Sequence, residues 1–181
     1  ETNALLEGHF ILSSGLRSSQ YVQCAQLLSK PWKALQICSS LAEKIEKNFS
    51  QIDLILTPAI GGIVVGYEIG RLIKKETIFC ERVDSKFMLR RGFKINKNSK
   101  VLIVEDVITT GKSSLECSEL VLNEGAYILG YACIIDRSNG NSKIKKKIVS
   151  QLEIDIPTYN ENNLPESLLK IKATKPGSRG I

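Results

Sequence analysis

Histidine occurs once in this 181-residue chain, at His9, and none of its five cysteines forms a Cys-x-x-Cys pair. The usual His/Cys sets of a structural zinc site are therefore missing. Cys24, Cys38, Cys80, Cys117 and Cys133 are odd in number and irregularly spaced. Three of them lie in apolar stretches and read as small buried hydrophobes, which suits a reducing compartment. No apolar run approaches the roughly 18 to 20 residues needed to cross a bilayer. The N-terminal residues carry no basic stretch followed by an apolar core. The expectation is a soluble, cytoplasmic protein with no membrane partner. Aromatic residues make up only 6% of the chain, and none is interleaved with the basic run "KIKKK" at 143–147. A stacking platform for nucleic acid is not indicated, and that run reads as a solvated surface loop.

What is present is a chain that is 43% hydrophobic with a net charge of +6. That is enough apolar material for one ordinary domain core, and the charge suits nucleic acid, an anionic surface or small anionic substrates without choosing among them. "SKPWKALQICSSLAEKIEKNF" has Ser29 as a possible cap, Pro31 in the first turn, and Leu35, Cys38, Leu41, Ala42 and Ile45 at three- and four-residue steps, which predicts an amphipathic helix. "QIDLILT" reads as a buried strand ending at Pro58 and Gly61-Gly62. "IVVGYEIGRLIKK" follows as a helix, then "TIFCERV" and "KVLIVEDV" as strands. "SSLECSELVLNEG" predicts a helix using Leu115, Leu120 and Leu122 and stopping at Gly125, before the strand "YILGYACIID". This alternation predicts an α/β fold with a mainly parallel sheet flanked by helices. The polar, basic segment "DSKFMLRRGFKINKNS" fits either a hairpin or a mobile loop. Residues before about Ser29 and after about Ser138 leave the alternation and are expected to form a cap.

The segment "VLIVEDVITTGKS", residues 101–113, carries the most chemistry. A buried strand runs into two acids, Glu105 and Asp106, and then into a small-residue turn that opens a helix. Ligands of open α/β sheets sit past the carboxyl ends of the strands. Backbone N–H groups of Thr109 to Ser113, with the Thr109, Thr110 and Ser113 hydroxyls, can surround a phosphate at the positive end of that helix. Gly111 permits close backbone approach. "GKS" is not a nucleoside triphosphate P-loop, because that motif needs glycine where Asp106 stands. Two acids would repel a polyphosphate at this turn but suit a ribose with one phosphate, since carboxylates accept hydrogen bonds from both ribose hydroxyls. A strand end and a helix cap would explain one acid, not the whole constellation.

On these residues the chain resembles the type I phosphoribosyltransferase family, whose signature is an apolar strand, two acids and a Thr/Gly-rich turn binding 5-phosphoribosyl 1-diphosphate. With "EGHFILSSGLRSSQYVQCAQLL", "TPAIGGIVVGYEIGR", "ERVDSKFMLRRGF", "IDRSNG" and "KPGSR" added, it is similar to the bacterial orotate phosphoribosyltransferases over nearly its whole length. The resemblance implies one phosphoribosyltransferase domain over 1–181, with about 1–29 and the C-terminal part forming a small cap, or hood, and about 30–138 the core. It implies transfer of the phosphoribosyl group to orotate, giving orotidine 5'-phosphate and diphosphate in pyrimidine biosynthesis, by a homodimer.

Carried over to matching positions, Glu105, Asp106, Val107, Ile108, Thr109, Thr110, Gly111, Lys112 and Ser113 bind the donor. Thr109 and Arg137 bind orotate; a guanidinium suits a planar carboxylate. Catalytic roles fall to Asp106, Arg82 and Lys86, the last two on a basic loop facing the departing diphosphate, with Arg90 and Arg91 as further candidates. Mg2+ is the implied cofactor, held mainly by the donor's diphosphate and ribose hydroxyls. Many relatives have a histidine in the basic loop and lysines where this chain has Ser13 and Gly61. Ser13, Ser14 and Gly15 are expected to offer backbone groups to the base. His9 is expected to pack or cap locally rather than act as a base. Two rivals are a purine phosphoribosyltransferase, which would differ in the base pocket, and a donor-sensing regulator that binds RNA or DNA; no separate nucleic-acid module is visible.

Overall fold

The computed structural model describes residues 3–12 and 14–176. In chain order the elements are β1 (Leu5–Ile11), β2 (Arg17–Val22), α1 (Cys24–Leu28), α2 (Pro31–Asn48), β3 (Leu54–Pro58), α3 (Gly61–Ile73) and β4 (Glu76–Val83). There follow β5 (Lys86–Leu89), β6 (Lys100–Ile108), α4 (Lys112–Asn123), β7 (Tyr127–Asp136), β8 (Ile148–Glu153), β9 (Thr158–Tyr159) and α5 (Glu166–Leu169). They divide into two compact units, one of Lys30–Ile154 and one of Glu1–Ser29 with Asp155–Ile181. No helix among the described residues is long and apolar enough to cross a membrane.

The larger unit is built on a six-stranded sheet in the order β5-β4-β3-β6-β7-β8. All neighbours are parallel except β4 and β5. The mainly parallel sheet anticipated from the strand and helix alternation is therefore present. Its central strands are apolar on both faces because helices cover both sides. β3 is buried at every residue, and Val101 to Val104 of β6 are fully buried.

Several local expectations are corrected by the packing. Lys30, not Ser29, precedes the first turn of α2, with Pro31 in the first turn; Ser29 instead closes α1, where its hydroxyl donates to the carbonyl of Gln26 at 3.0 Å. The buried stripe of α2 is Ala34, Cys38, Leu41, Ala42 and Ile45, leaving Leu35 exposed. On α4 the inward face is Ser114, Cys117, Ser118 and Val121; Leu115 and Leu120 pack at its margin and Leu122 faces out. The sheet also continues past Ser138, since β8 pairs with β7 from Tyr131↔Ile148 to Asp136↔Glu153.

The ambiguous basic segment begins as a hairpin. Val83 pairs with Lys86, and the two residues between them, Asp84 and Ser85, have φ of 47° and 66°. Two successive left-handed residues are what a tight two-residue hairpin turn requires.

The smaller unit carries the antiparallel sheet β1-β2-β9. His9 is buried there, and its Nδ1 lies 3.0 Å from the carbonyl of Ile171, while its own carbonyl accepts from the N–H of Thr174 at 2.8 Å. This is local packing, as expected for His9. Arg17, also buried, pairs with Glu161.

Candidate active site

β6 delivers the acids. Its first half is sealed in the core, and burial relaxes at Glu105, Asp106 and Val107 before Ile108 turns inward again. The chain then exposes Thr109 and Thr110, reverses at Gly111 with φ 77°, and enters α4 at Lys112. A positive φ at Gly111 is conformation that a residue with a Cβ rarely adopts. It leads directly into the first α4 amides, which have no helical acceptors and carry the positive end of the dipole. Nine consecutive residues, Glu105 to Ser113, thus form one strand end, turn and helix start, as the sequence motif implied.

The two acids are held differently. Glu105 accepts a hydrogen bond from the Ser114 hydroxyl, which lies on the buried face of α4. Behind it, the Ser118 hydroxyl donates to the Ser114 carbonyl at 2.9 Å and meets the Tyr131 hydroxyl at 2.5 Å. This polar chain fixes Glu105 from beneath. Asp106 faces the start of α3: a Cβ on Gly61 would come within 2.8 and 2.9 Å of its two carboxylate oxygens. Gly61 therefore leaves room for the carboxylate. Burial raises the Asp106 carboxyl pKa above its ordinary value, with the backbone N–H groups of Val107 and Asp106 itself acting in the opposite direction. The cost of a desolvated carboxylate is one that hydrogen bonds from a ligand would offset.

Arg137 follows β7 directly. Its N–H donates to the carbonyl of Ile108 at 2.8 Å, so the backbones of Arg137 and Thr109 leave neighbouring strand ends together. The adjacent Asp136 carboxylate accepts from the Ser138 N–H at 2.7 Å, which shapes the turn after the strand.

The candidate cations do not converge in the same way. Arg82 is tied to Glu116 of α4, donates to the Ser85 carbonyl at 2.7 Å and lies 4.1 Å from the centroid of the Phe87 ring. Arg91 forms a two-point pair with Glu81 at 2.9 Å for each contact. Lys86, at the hairpin end, and Arg90 are exposed. Lys112 is exposed too, with its ammonium 3.9 Å from Glu116. Of the residues expected near the base, Ser13 lies outside the described residues, and the Ser14 hydroxyl accepts from the Leu16 N–H at 3.4 Å.

Sequence reasoning missed Ser114, Gly61 as the space for Asp106, Glu116 as the partner of Arg82, and Ile144. The doublet Ser113-Ser114 at a helix start was a usable signal for the first. Ile144, the one apolar residue inside the lysine run, is buried, whereas Lys143, Lys145, Lys146 and Lys147 are exposed. The "KIKKK" segment is solvated on four of its five side chains and anchored by the fifth.

Comparison with known proteins follows this geometry. A family model described as the phosphoribosyl transferase domain matches residues 26–170. The chain is 44% identical to an orotate phosphoribosyltransferase of Erythrobacter litoralis, covering 98% of this chain and 93% of that one. It is 45% identical to the orotate phosphoribosyltransferase of Parvibaculum lavamentivorans, over 100% and 94% respectively. Among solved structures, orotate phosphoribosyltransferase from Aeropyrum pernix superposes with a TM-score of 0.71 at 22% identity, covering 84% of this chain and 89% of that chain.

Proposed function

The chain belongs to the phosphoribosyltransferase family, and from that premise we propose that it transfers the phosphoribosyl group of 5-phosphoribosyl 1-diphosphate to orotate, giving orotidine 5'-phosphate and diphosphate. The observation that carries the reaction class is the acid pair at the end of β6 running straight into the positive-φ turn and the α4 N-terminus. The choice of orotate rests on relatives similar over the whole chain, because a structural likeness at 22% identity speaks to the fold alone.

We assign the ribose hydroxyls to Glu105 and Asp106 and the 5-phosphate to the amides and hydroxyls of Thr109 to Ser113, with Val107 and Ile108 forming the approach. Thr109 and Arg137 take the orotate. The bond from the ribose carbon to diphosphate breaks, a bond from that carbon to the orotate ring nitrogen forms, and the ring N–H proton passes to water or to the departing diphosphate. Positive charge grows on the ribose and negative charge on the departing diphosphate. The carboxylates of Glu105 and Asp106 sit on the side that gains positive charge, and Lys86 and Arg82 are assigned to the diphosphate. Orotate's ring is acidic enough that no strong base is required, which agrees with the packing of His9.

Mg2+ fits the donor set in a limited way. Among the described residues no group of three His, Cys, Asp or Glu side chains could hold a metal, while Glu105 and Asp106 offer hard oxygens of the kind Mg2+ takes in ones and twos beside phosphates. The ion would be held mainly by the diphosphate and ribose hydroxyls, near Asp106 and Glu105, and when bound it neutralises charge on the leaving group. We further infer one catalytic domain over 1–181, supported by a family match that spans both compact units. A homodimer and a cytoplasmic location are inferred from the family, the latter also from five buried cysteines that form no disulfide. Product chromatography with orotate, adenine, hypoxanthine and uracil as parallel acceptors tests the assignment. Orotidine 5'-phosphate alone is the expected product; a purine nucleotide would reassign the base pocket.

A further inference from the structure

The amides of a phosphate-binding turn are useful only if they already point at one place, because a turn ordered by its ligand loses affinity to its own entropy. In the turn after β6, Thr109, Thr110 and Lys112 are exposed. What holds it lies in the β7–β8 connection. The Arg137 N–H donates to the Ile108 carbonyl at 2.8 Å, and the Lys143 N–H donates to the Thr110 carbonyl at 3.1 Å. These two bonds bracket Thr109. Between them the connection doubles back through Asn139 and Gly140, with φ of 49° and 73°, and is closed by the Asn141 N–H on the Ser138 carbonyl at 2.8 Å.

Ile144 supplies the third point. It is 8% exposed and belongs to the same core cluster as Ile108, Cys117 and Tyr131. A Cβ built on Gly111 would lie 2.8 Å from its Cγ1 and 2.9 Å from its Cδ1. The isoleucine side chain therefore presses against the bare Cα of Gly111, on the residue whose left-handed conformation aims the α4 amides.

We propose that the β7–β8 connection is a clamp that pre-forms the phosphate turn, with Ile144 as a positioning residue acting through Gly111. The proposal rests on the donor-binding reading above. It also links the two substrates, because the same connection begins at Arg137.

The test uses Ile144→Ala and Ile144→Val in the full chain, well below their melting temperatures. Donor affinity is measured with Mg2+ and no orotate, inorganic diphosphate affinity with Mg2+, and KM and kcat with both substrates. Ile144→Ala is expected to raise donor Kd and donor KM about tenfold, while diphosphate affinity and orotate KM move by less than about twofold. Ile144→Val, lacking one methylene, is expected to recover most of the loss and serves if the alanine variant does not fold. A role confined to core stability would lower the melting temperature without separating donor from diphosphate. Unchanged donor affinity in both variants, or equal loss for donor and diphosphate, overturns the clamp while donor binding stands. A wild-type protein that binds no donor overturns the donor-binding reading and the clamp with it.

Discussion

The β6–α4 turn and the β4–β5 hairpin are both rich in charged residues, yet the fold treats them in opposite ways. At the turn, a sealed strand carries two carboxylates to the carboxyl end of the sheet; one is propped by Ser114 and the other stays desolvated against Gly61. At the hairpin, two of the four candidate cations are neutralised by Glu81 and Glu116, and the other two are exposed. On the proposed assignment, the donor side is pre-organised before any ligand arrives. If the hairpin faces the diphosphate as proposed, arriving diphosphate must compete with carboxylates for Arg82 and Arg91.

The largest effect that sharpens this contrast is expected at Asp106. Asp106→Asn should cut turnover by about a hundredfold to a thousandfold, the scale of losing one aligned charged group, with the fold intact. It should also stabilise the ligand-free protein. A carboxyl whose pKa is raised in the folded state above its ordinary 3.8 costs nothing when both states are protonated at low pH; its penalty grows as pH rises from that ordinary value toward the raised folded one and is constant above it. The variant's gain in Tm at neutral pH should shrink toward acid. Paired melting curves at pH 4 and pH 7.5 check this, and a variant less stable at both would contradict the desolvated-carboxylate account.

On the hairpin, Lys86→Ala should lower kcat roughly tenfold to a hundredfold with little change in orotate affinity, if an exposed cation closes on the leaving group. An unchanged kcat would move that role to Arg82 or Arg90. Arg137→Ala should raise orotate KM about tenfold, the cost of losing a charge-assisted contact, and an effect confined to the donor would show the base pocket misplaced. Smallest of all, Glu116→Gln should free Arg82 and tighten inorganic diphosphate binding by about twofold to fivefold, in keeping with the modest worth of a partly exposed ion pair. Titration calorimetry would detect it, and equal affinity would mean that Arg82 never leaves α4.

Legibility in the sequence follows the same division. The acid pair and turn were readable because nine adjacent residues carry the whole device and the strand before them is continuously apolar. β3, α3 and β6 were clear for the same reason. The hairpin was ambiguous because its ion pairs join residues 10 and 34 positions apart, and no local pattern records them. β8 escaped because only Val149 of its six residues is fully buried; it is an edge strand and lacks the apolar run of its neighbours. Leu35 and Leu122 satisfy a helical spacing but fall just off the buried stripe, where small residues such as Ala34 and Ser118 let the helices approach the sheet. Ile144 was concealed by the four lysines around it.

The central claim is most directly tested by following the near-ultraviolet absorbance of orotate mixed with the protein, 5-phosphoribosyl 1-diphosphate and Mg2+. The account predicts a loss of orotate absorbance that requires all four components and is slowed by about a hundredfold or more in Asp106→Asn. Donor binding without any consumption of orotate, at enzyme concentrations matching the substrate, would contradict it and favour a protein that senses the donor rather than using it.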